Sequence, residues 1–255
     1  MIFPPEHPSI TVPLVGAAPL AAATFLARPN RFLVAARLED GATVAAHLAD
    51  RGRLLTKLVP GARLVLGHKP GEGRKTQYQV AGVYVGDQLV SLDTHLPNRL
   101  VEAALRAGAL PQFAGYPHVE REVQVGASRF DFGLAPAAPT GTKRHGGACP
   151  CIVEVKSVAD VVDTIAVFPD APTTRGRRHL LELAHLAEAG VRSAVVFVVQ
   201  RGDGTAVAVN RAIDPDFAVA LSEVARRGVE LYAYRCPLTL AGIRLGEGLP
   251  VLTEG

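Results

Sequence analysis

No apolar run in this sequence approaches the roughly 18 residues that a membrane-spanning helix requires. The opening stretch MIFPPEHPSI also lacks the basic start and apolar core of a secretory leader, so a cytoplasmic location without membrane contact is expected. Cysteine is scarce and odd in number: Cys149, Cys151 and Cys236, with the close pair spaced C-P-C instead of the C-x-x-C of zinc and redox sites. That argues against a disulfide framework or a zinc centre and for three thiols in a reducing compartment. An excess of one charge sign is nearly missing, since 27 Lys and Arg stand against 24 Asp and Glu. Such a balance is compatible with a polyanionic partner but does not identify one. No phosphate-cradling glycine loop or dinucleotide fingerprint appears, which leaves a cofactor-dependent enzyme of sugar metabolism without support.

What the chain has in quantity is apolar residues, 48% of 255. That is ample for packed cores in one large domain or two ordinary ones. Residues 1 to about 28 are rich in Pro and Ala and read as an extended arm with a first strand over 9–14. From Arg31 the pattern changes. RFLVAARLED and ATVAAHLAD flank an Asp40-Gly41 turn, 63–68 forms a strand after Pro60-Gly61, and 77–85 and 88–92 are strands broken at Gly86-Asp87. Five or six short strands in this space predict a small OB-like β-barrel, in a first domain of residues 1–94. NRLVEAALRAG then shifts to a helical stripe that stops at Gly108. Within 95–255 the order becomes two strands meeting at Gly126-Ala127, the strand CIVEVKSV, a helix over RRHLLELAHLAEAG, the apolar strand SAVVFVVQR, a helix over 215–227 and the strand VELYAYRC. That order predicts an α/β sandwich with a mixed sheet. The Pro/Gly-rich loop PAAPTGTKRHGGACP reads as a solvated insertion, with backbone phosphate contacts by Lys143, Arg144 and His145 as the alternative.

Chemistry concentrates in the second part. Glu154 and Lys156 stand two apart in IVEVKSV, so strand alternation sends both to one face, and Asp131 lies in RFDFGL. If these strands pair as a hairpin, two carboxylates and an amine meet. Two carboxylates and a backbone carbonyl, that of Val155, are hard ligands suited to Mg²⁺, and Lys156 is placed to orient a water or neutralise charge on phosphorus. An E-x-K alone is usually an ion pair. Here Ile152, Val153 and Val155, and Phe130 and Phe132 around Asp131, hold the charges in apolar strands, where they are costly unless ligated or paired. Glu102, on the preceding helix, is a further acidic candidate. TTRGRRHLLEL opens a helix with Thr173 or Thr174 as N-cap and Arg175, Arg177, Arg178 and His179 in its first turns, which suits phosphate. Arg51 and Arg53 form a second basic pair for nucleic-acid contact, and Gln200 ends an apolar strand where a polar group faces a site.

The segments AHLADRGRL, DTHLPNRLVEAAL, SRFDF, IVEVKSV, FVVQR and above all AVFPDAPTTRGRRHLLEL resemble the sugar fermentation stimulation protein A family over most of the chain, from about residue 31 to 251. The resemblance implies an OB-type domain followed by a PD-(D/E)xK restriction-endonuclease-like domain. Asp131 and Glu154 would be its metal-binding carboxylates and Lys156 its lysine, with Glu102, Gln200, Arg175 and His179 at matching motif positions. It further implies DNA or RNA as partner and Mg²⁺, with Mn²⁺ as substitute, for phosphodiester hydrolysis. The alternative is a non-catalytic DNA-binding transcriptional accessory protein affecting sugar utilisation. A homodimer is compatible with the sequence but not specified by it.

Overall fold

A computed structural model of the chain describes residues 9–138 and 149–253. Lys143, Arg144 and His145 lie outside the described residues. The barrel is built from β2 (Leu20–Asn30), β3 (Leu33–Leu38), β4 (Thr43–His47), β5 (Arg63–His68) and β6 (Tyr78–Val85), preceded by β1 (Thr11–Val12) and followed by β7 (Gln88–Ser91). Antiparallel pairing runs β4-β3-β2-β5-β6-β7, and a parallel contact of Ala46 with Tyr78 joins β4 to β6 and closes five strands into a barrel. Period-two alternation fills it: in β3, Val34 and Ala36 point inward and meet Phe25, Ala46, Leu64, Leu66 and Val80. Gly82 is required where β7 approaches, because a Cβ there would stand 2.6 Å from the Val90 carbonyl oxygen.

One expectation needs correction. The alanine-rich run LAAATFLARPN, read as part of an extended arm, is the central barrel strand β2, paired with β3 on one side and β5 on the other. Alanine has little strand propensity of its own, so the pairing comes from tertiary context. The strand expected over 9–14 is present as β1, which pairs with a later strand, and Leu14 and Val15 behind it are buried in the core that joins the barrel to the second part of the molecule, while residues 1–8 lie outside the described residues.

That second part begins with α1 (Leu96–Arg106), then β8 (His118–Val125), β9 (Ser128–Ala135), β10 (Cys151–Val158), β11 (Asp160–Val162), β12 (Ile165–Phe168), α2 (Thr174–Glu188), β13 (Arg192–Val199), β14 (Ala206–Val209), α3 (Pro215–Arg226) and β15 (Glu230–Arg235). Short strands β16 (Leu238–Thr239), β17 (Gly242–Arg244), β18 (Gly248–Leu249) and β19 (Val251–Leu252) finish it. The main sheet runs β18-β15-β13-β10-β9-β8, antiparallel through β8, β9 and β10 and parallel through β10, β13 and β15. The mixed-sheet α/β domain is as expected; the small sheet β11-β12-β14-β19 was not foreseen.

α1 packs on one face of the main sheet. A single core joins Leu96 and Leu100 to Phe132, Val153 and Val196, and also to Val65, Ala81 and Leu89 of the barrel, so the two parts share buried apolar surface. On the other face, Leu180 and Leu183 of α2 and Phe217 and Leu221 of α3 cover Phe130, Ile152 and Phe197. Thr173 caps α2 by accepting from the Gly176 N–H at 3.0 Å. Asp214 caps α3 and also accepts from the Thr173 N–H at 2.7 Å, which ties the two helix starts together. All three thiols are free, and burial pushes those of Cys151 and Cys236 up to about 12. Among the described residues no helix is long and apolar enough to cross a membrane.

Candidate active site at the open end of the central hairpin

The strands β9 and β10 pair antiparallel, as expected, but their ladder stops at Phe132↔Val153. Asp131 and Glu154 are the next residues on each side, where the hairpin opens, near enough for the Glu154 charge to act on the Asp131 carboxyl. A kink puts Asp131 there. Glu122 on β8 adopts φ 54°, and the β8–β9 register passes from Arg121↔Phe132 to Val123↔Phe130 without the pair between them. As a result Phe132 faces the core under α1 while Phe130, two residues away, faces the core under α2. Asp131 sits at the crossover and reaches both helix α1 and strand β10.

Each Asp131 oxygen is engaged. Oδ1 accepts from Asn98 Nδ2 at 2.6 Å, and Oδ2 accepts from the Val155 N–H at 2.8 Å. Since N–H and C=O of one residue lie on the same edge of a strand, the Val155 carbonyl also faces Asp131. Burial, and after it the neighbouring charge of Glu154, raise the Asp131 carboxyl from 3.8 to about 6, against the opposing hydrogen bond from Val155. Glu154 is 5% exposed. Its Oε1 takes two donors, Lys156 Nζ at 2.7 Å and His179 Nδ1 at 2.8 Å. Because a carboxylate oxygen only accepts, Nδ1 carries the ring proton. Burial pushes the Glu154 carboxyl up, but the His179 hydrogen bond and the Lys156 charge outweigh it and hold it below its usual value. Oε2 of the same carboxylate is buried with no partner, as is His179 Nε2.

Does this set suit the divalent cation implied by the sequence? Among the described residues no group of three or more His, Cys, Asp and Glu side chains is arranged to hold a metal. Two carboxylates and a strand carbonyl nonetheless match Mg²⁺, which retains several waters and takes few protein ligands. The orphaned Oε2 of Glu154 is the observation that favours the fit, because a buried carboxylate oxygen without a donor is costly unless a cation or water meets it.

Other expected site residues are distributed unevenly. Glu102 is held by Arg106 and Arg121, both at 3.1 Å, and it is Asn98, one helical turn earlier, that touches Asp131. Gln200, 3% exposed, follows β13 directly beside the site, donating from Nε2 to Ser157 Oγ at 2.6 Å while its Oε1 has no partner. His179, read as a nucleic-acid contact, is turned inward onto Glu154. Arg175 is exposed at the start of α2, Arg177 pairs with Asp216, and Arg178 lies 3.9 Å from Glu182. Arg51 and Arg53 are exposed on the barrel. Asn98 and Ser157 escaped the sequence reading. Only the i, i+4 spacing of Asn98 and Glu102 on one helix face pointed toward the former.

Beside the site, a cleft of about 470 Å³ separates the barrel from the α/β domain, with Arg53 and Lys57 on one wall and Ser157, Asp160 and Gln200 on the other. Lys57, 7% exposed, crosses it to Asp160 at 2.6 Å.

Comparison with known proteins agrees with the two-domain order of the fold. Residues 26–92 match the family described as the SfsA N-terminal OB domain, and residues 95–242 match the sugar fermentation stimulation protein RE domain. The sugar fermentation stimulation protein homolog of Chloroflexus aurantiacus is 54% identical over 96% of this chain and 90% of its own length. That of Moorella thermoacetica is 47% identical over 87% and 93%. A solved structure, described as Pyrococcus furiosus SfsA in complex with Ca²⁺, superposes with a TM-score of 0.81 at 28% identity, covering 95% of this chain and 99% of that one.

Proposed function

The chain belongs to the sugar fermentation stimulation protein family, and from that premise we propose that it binds nucleic acid and hydrolyses phosphodiester bonds with Mg²⁺, Mn²⁺ serving as substitute. The observation that carries this reading is the meeting of Asp131, Glu154 and Lys156 at the open end of one hairpin, with Glu154 Oε2 buried and unpartnered. Asp131, Glu154 and the Val155 carbonyl would hold the ion. When bound, it supplies positive charge to a phosphoryl oxygen and acidifies a coordinated water. The protein's own groups prepare the site. The Val155 N–H and Asn98 fix the Asp131 rotamer, and His179 fixes Glu154 from the opposite side. Lys156 Nζ, held on Glu154 Oε1, stands ready to donate to an oxygen on phosphorus. The Ca²⁺ named for the Pyrococcus furiosus protein is likewise a hard, oxygen-seeking cation, which supports the choice of metal class.

A second reading has an observation of its own. Lys156 and His179 both donate to Glu154 Oε1, so the protein itself offsets the carboxylate charge and a water at Oε2 would complete the network without a cation. A non-catalytic DNA-binding accessory protein affecting sugar utilisation would need no more. Labelled single- and double-stranded DNA and RNA, incubated with Mg²⁺, Mn²⁺ or EDTA beside Asp131→Ala and Lys156→Ala, separate the two. Metal-dependent cleavage lost in both variants supports the nuclease, and binding without cleavage in every condition supports the accessory protein.

A further inference from the structure

At the tip of the β2–β3 hairpin an aromatic ring stands in the open. Phe32 is 38% exposed, and the guanidiniums of Arg31 and Arg51 lie over its ring at 4.9 and 5.1 Å from the centroid. Among the described residues neither arginine, nor Arg53 beside them, has a carboxylate partner. The cluster is held in place from beneath. Arg28 Nη1 donates to the carbonyls of Gly52 and Arg53 at 2.7 and 3.0 Å, and its Nη2 to those of Arg31 and Asp50 at 3.2 and 3.3 Å. One guanidinium therefore binds the hairpin tip to the 50–53 loop. Asp50, Gly52 and Arg53 of that same loop line the interdomain cleft, which is also lined by Ser157, the residue that follows Lys156 on β10.

We infer that the strand taken by this protein is single-stranded: an unpaired base stacks on the Phe32, Arg31 and Arg51 platform, and the chain continues past Arg53 into the cleft toward Lys156. This inference rests on the nucleic-acid reading above and adds its substrate class. Three physical points carry it. An exposed ring flanked by guanidiniums offers stacking and cation–π attraction to any base, whereas in a duplex the base faces are already stacked. The cleft, at about 470 Å³, is of the size that encloses a small ligand and excludes a duplex. Its acidic lining sets the orientation. Lys57 neutralises Asp160 and Arg99 neutralises Asp93, while Asp170 and the second oxygen of Asp50, whose Oδ1 accepts from the Gly52 N–H at 2.8 Å, remain as acceptors for base amino groups. On this outer stretch bases thus turn inward and phosphates run along Arg51 and Arg53, before the chain reaches Lys156.

The chain has no tryptophan, so Phe32→Trp places a lone indole in the platform. In EDTA, where cleavage is suppressed, its emission is titrated with single-stranded DNA, single-stranded RNA and a duplex of equal length. Quenching by the single strands and not by the duplex is expected, together with a roughly 10-fold loss of single-strand affinity in Phe32→Ala that Phe32→Tyr restores. Duplex affinity should not change. If the protein binds single strands but Phe32→Ala binds them as tightly, or if the duplex quenches equally, the platform is wrong and the nucleic-acid reading survives. If the unmodified protein binds no nucleic acid at all, both fall together.

Discussion

Replacing Asp131 by asparagine should make the metal-free protein more stable, and the gain should depend on pH. Burial and the Glu154 charge raise the Asp131 carboxyl from 3.8 to about 6, so the folded state holds this proton more tightly than the unfolded chain does. The corresponding stability is fully present below pH 3.8 and is lost as pH rises through about 6. At about 1.4 kcal/mol per unit, the loss amounts to about 3 kcal/mol once both states are ionised. Asparagine never ionises, keeps an acceptor for the Val155 N–H, and requires only that the Asn98 amide turn over. Urea denaturation in EDTA should therefore find Asp131→Asn about 1 to 3 kcal/mol more stable than the parent at pH 8, and nearly equal to it at pH 4. Added Mg²⁺ should narrow or reverse the difference, since only the parent gains binding energy, about 2.7 kcal/mol at a hundredfold excess over Kd. Equal stability at pH 8, or a difference that does not change with pH, would refute the picture of two carboxylates held in mutual strain.

Other consequences follow from individual contacts. Arg51→Ala, Arg53→Ala and Arg175→Ala should each weaken nucleic-acid binding and reduce the salt slope by about 0.7 for a single strand, measured by anisotropy across a salt series. Arg177→Ala should do less, because its guanidinium is already paired with Asp216. Gly176→Ala would set a Cβ 2.7 Å from Thr173 Oγ1 and push the cap aside, at a cost of about 1 to 2 kcal/mol readable by thermal or urea denaturation. Lys57→Met removes the buried tie across the cleft and strands Asp160. A loss of about 1 kcal/mol is expected by the same measurement, because the half-exposed Asp160 regains water when its partner is removed.

The carboxylate pair was legible because strand chemistry is local. Two β-type runs meeting across one loop make a hairpin, and two-residue alternation fixes which side chains share a face. Strand β2 was not, since its alanines and Pro29 carry no strand signal and only the neighbouring β3 and β5 recruit it. The strands of two to four residues, such as β11 and β14, are too short to show a period. His179 was identified but placed outward, because its position beside Arg177 and Arg178 suggested a basic surface. On the helix, however, it falls on the stripe with Leu180 and Leu183 that packs against the sheet, 2.8 Å from Glu154. Asn98 was invisible for a related reason: which residue of a helix face reaches a strand depends on the kink at Glu122, which no sequence pattern encodes.

The account turns on Glu154 as a charged ligand, and Glu154→Gln tests that most directly. Glutamine keeps the size of the side chain and an acceptor for Lys156 and His179, so the fold should persist. Rates of cleavage of a labelled single-stranded oligonucleotide at saturating Mg²⁺ should fall by about a hundredfold or more if the carboxylate holds the cation. A folded Glu154→Gln protein that cleaves at the parental rate would contradict the assignment of the active site.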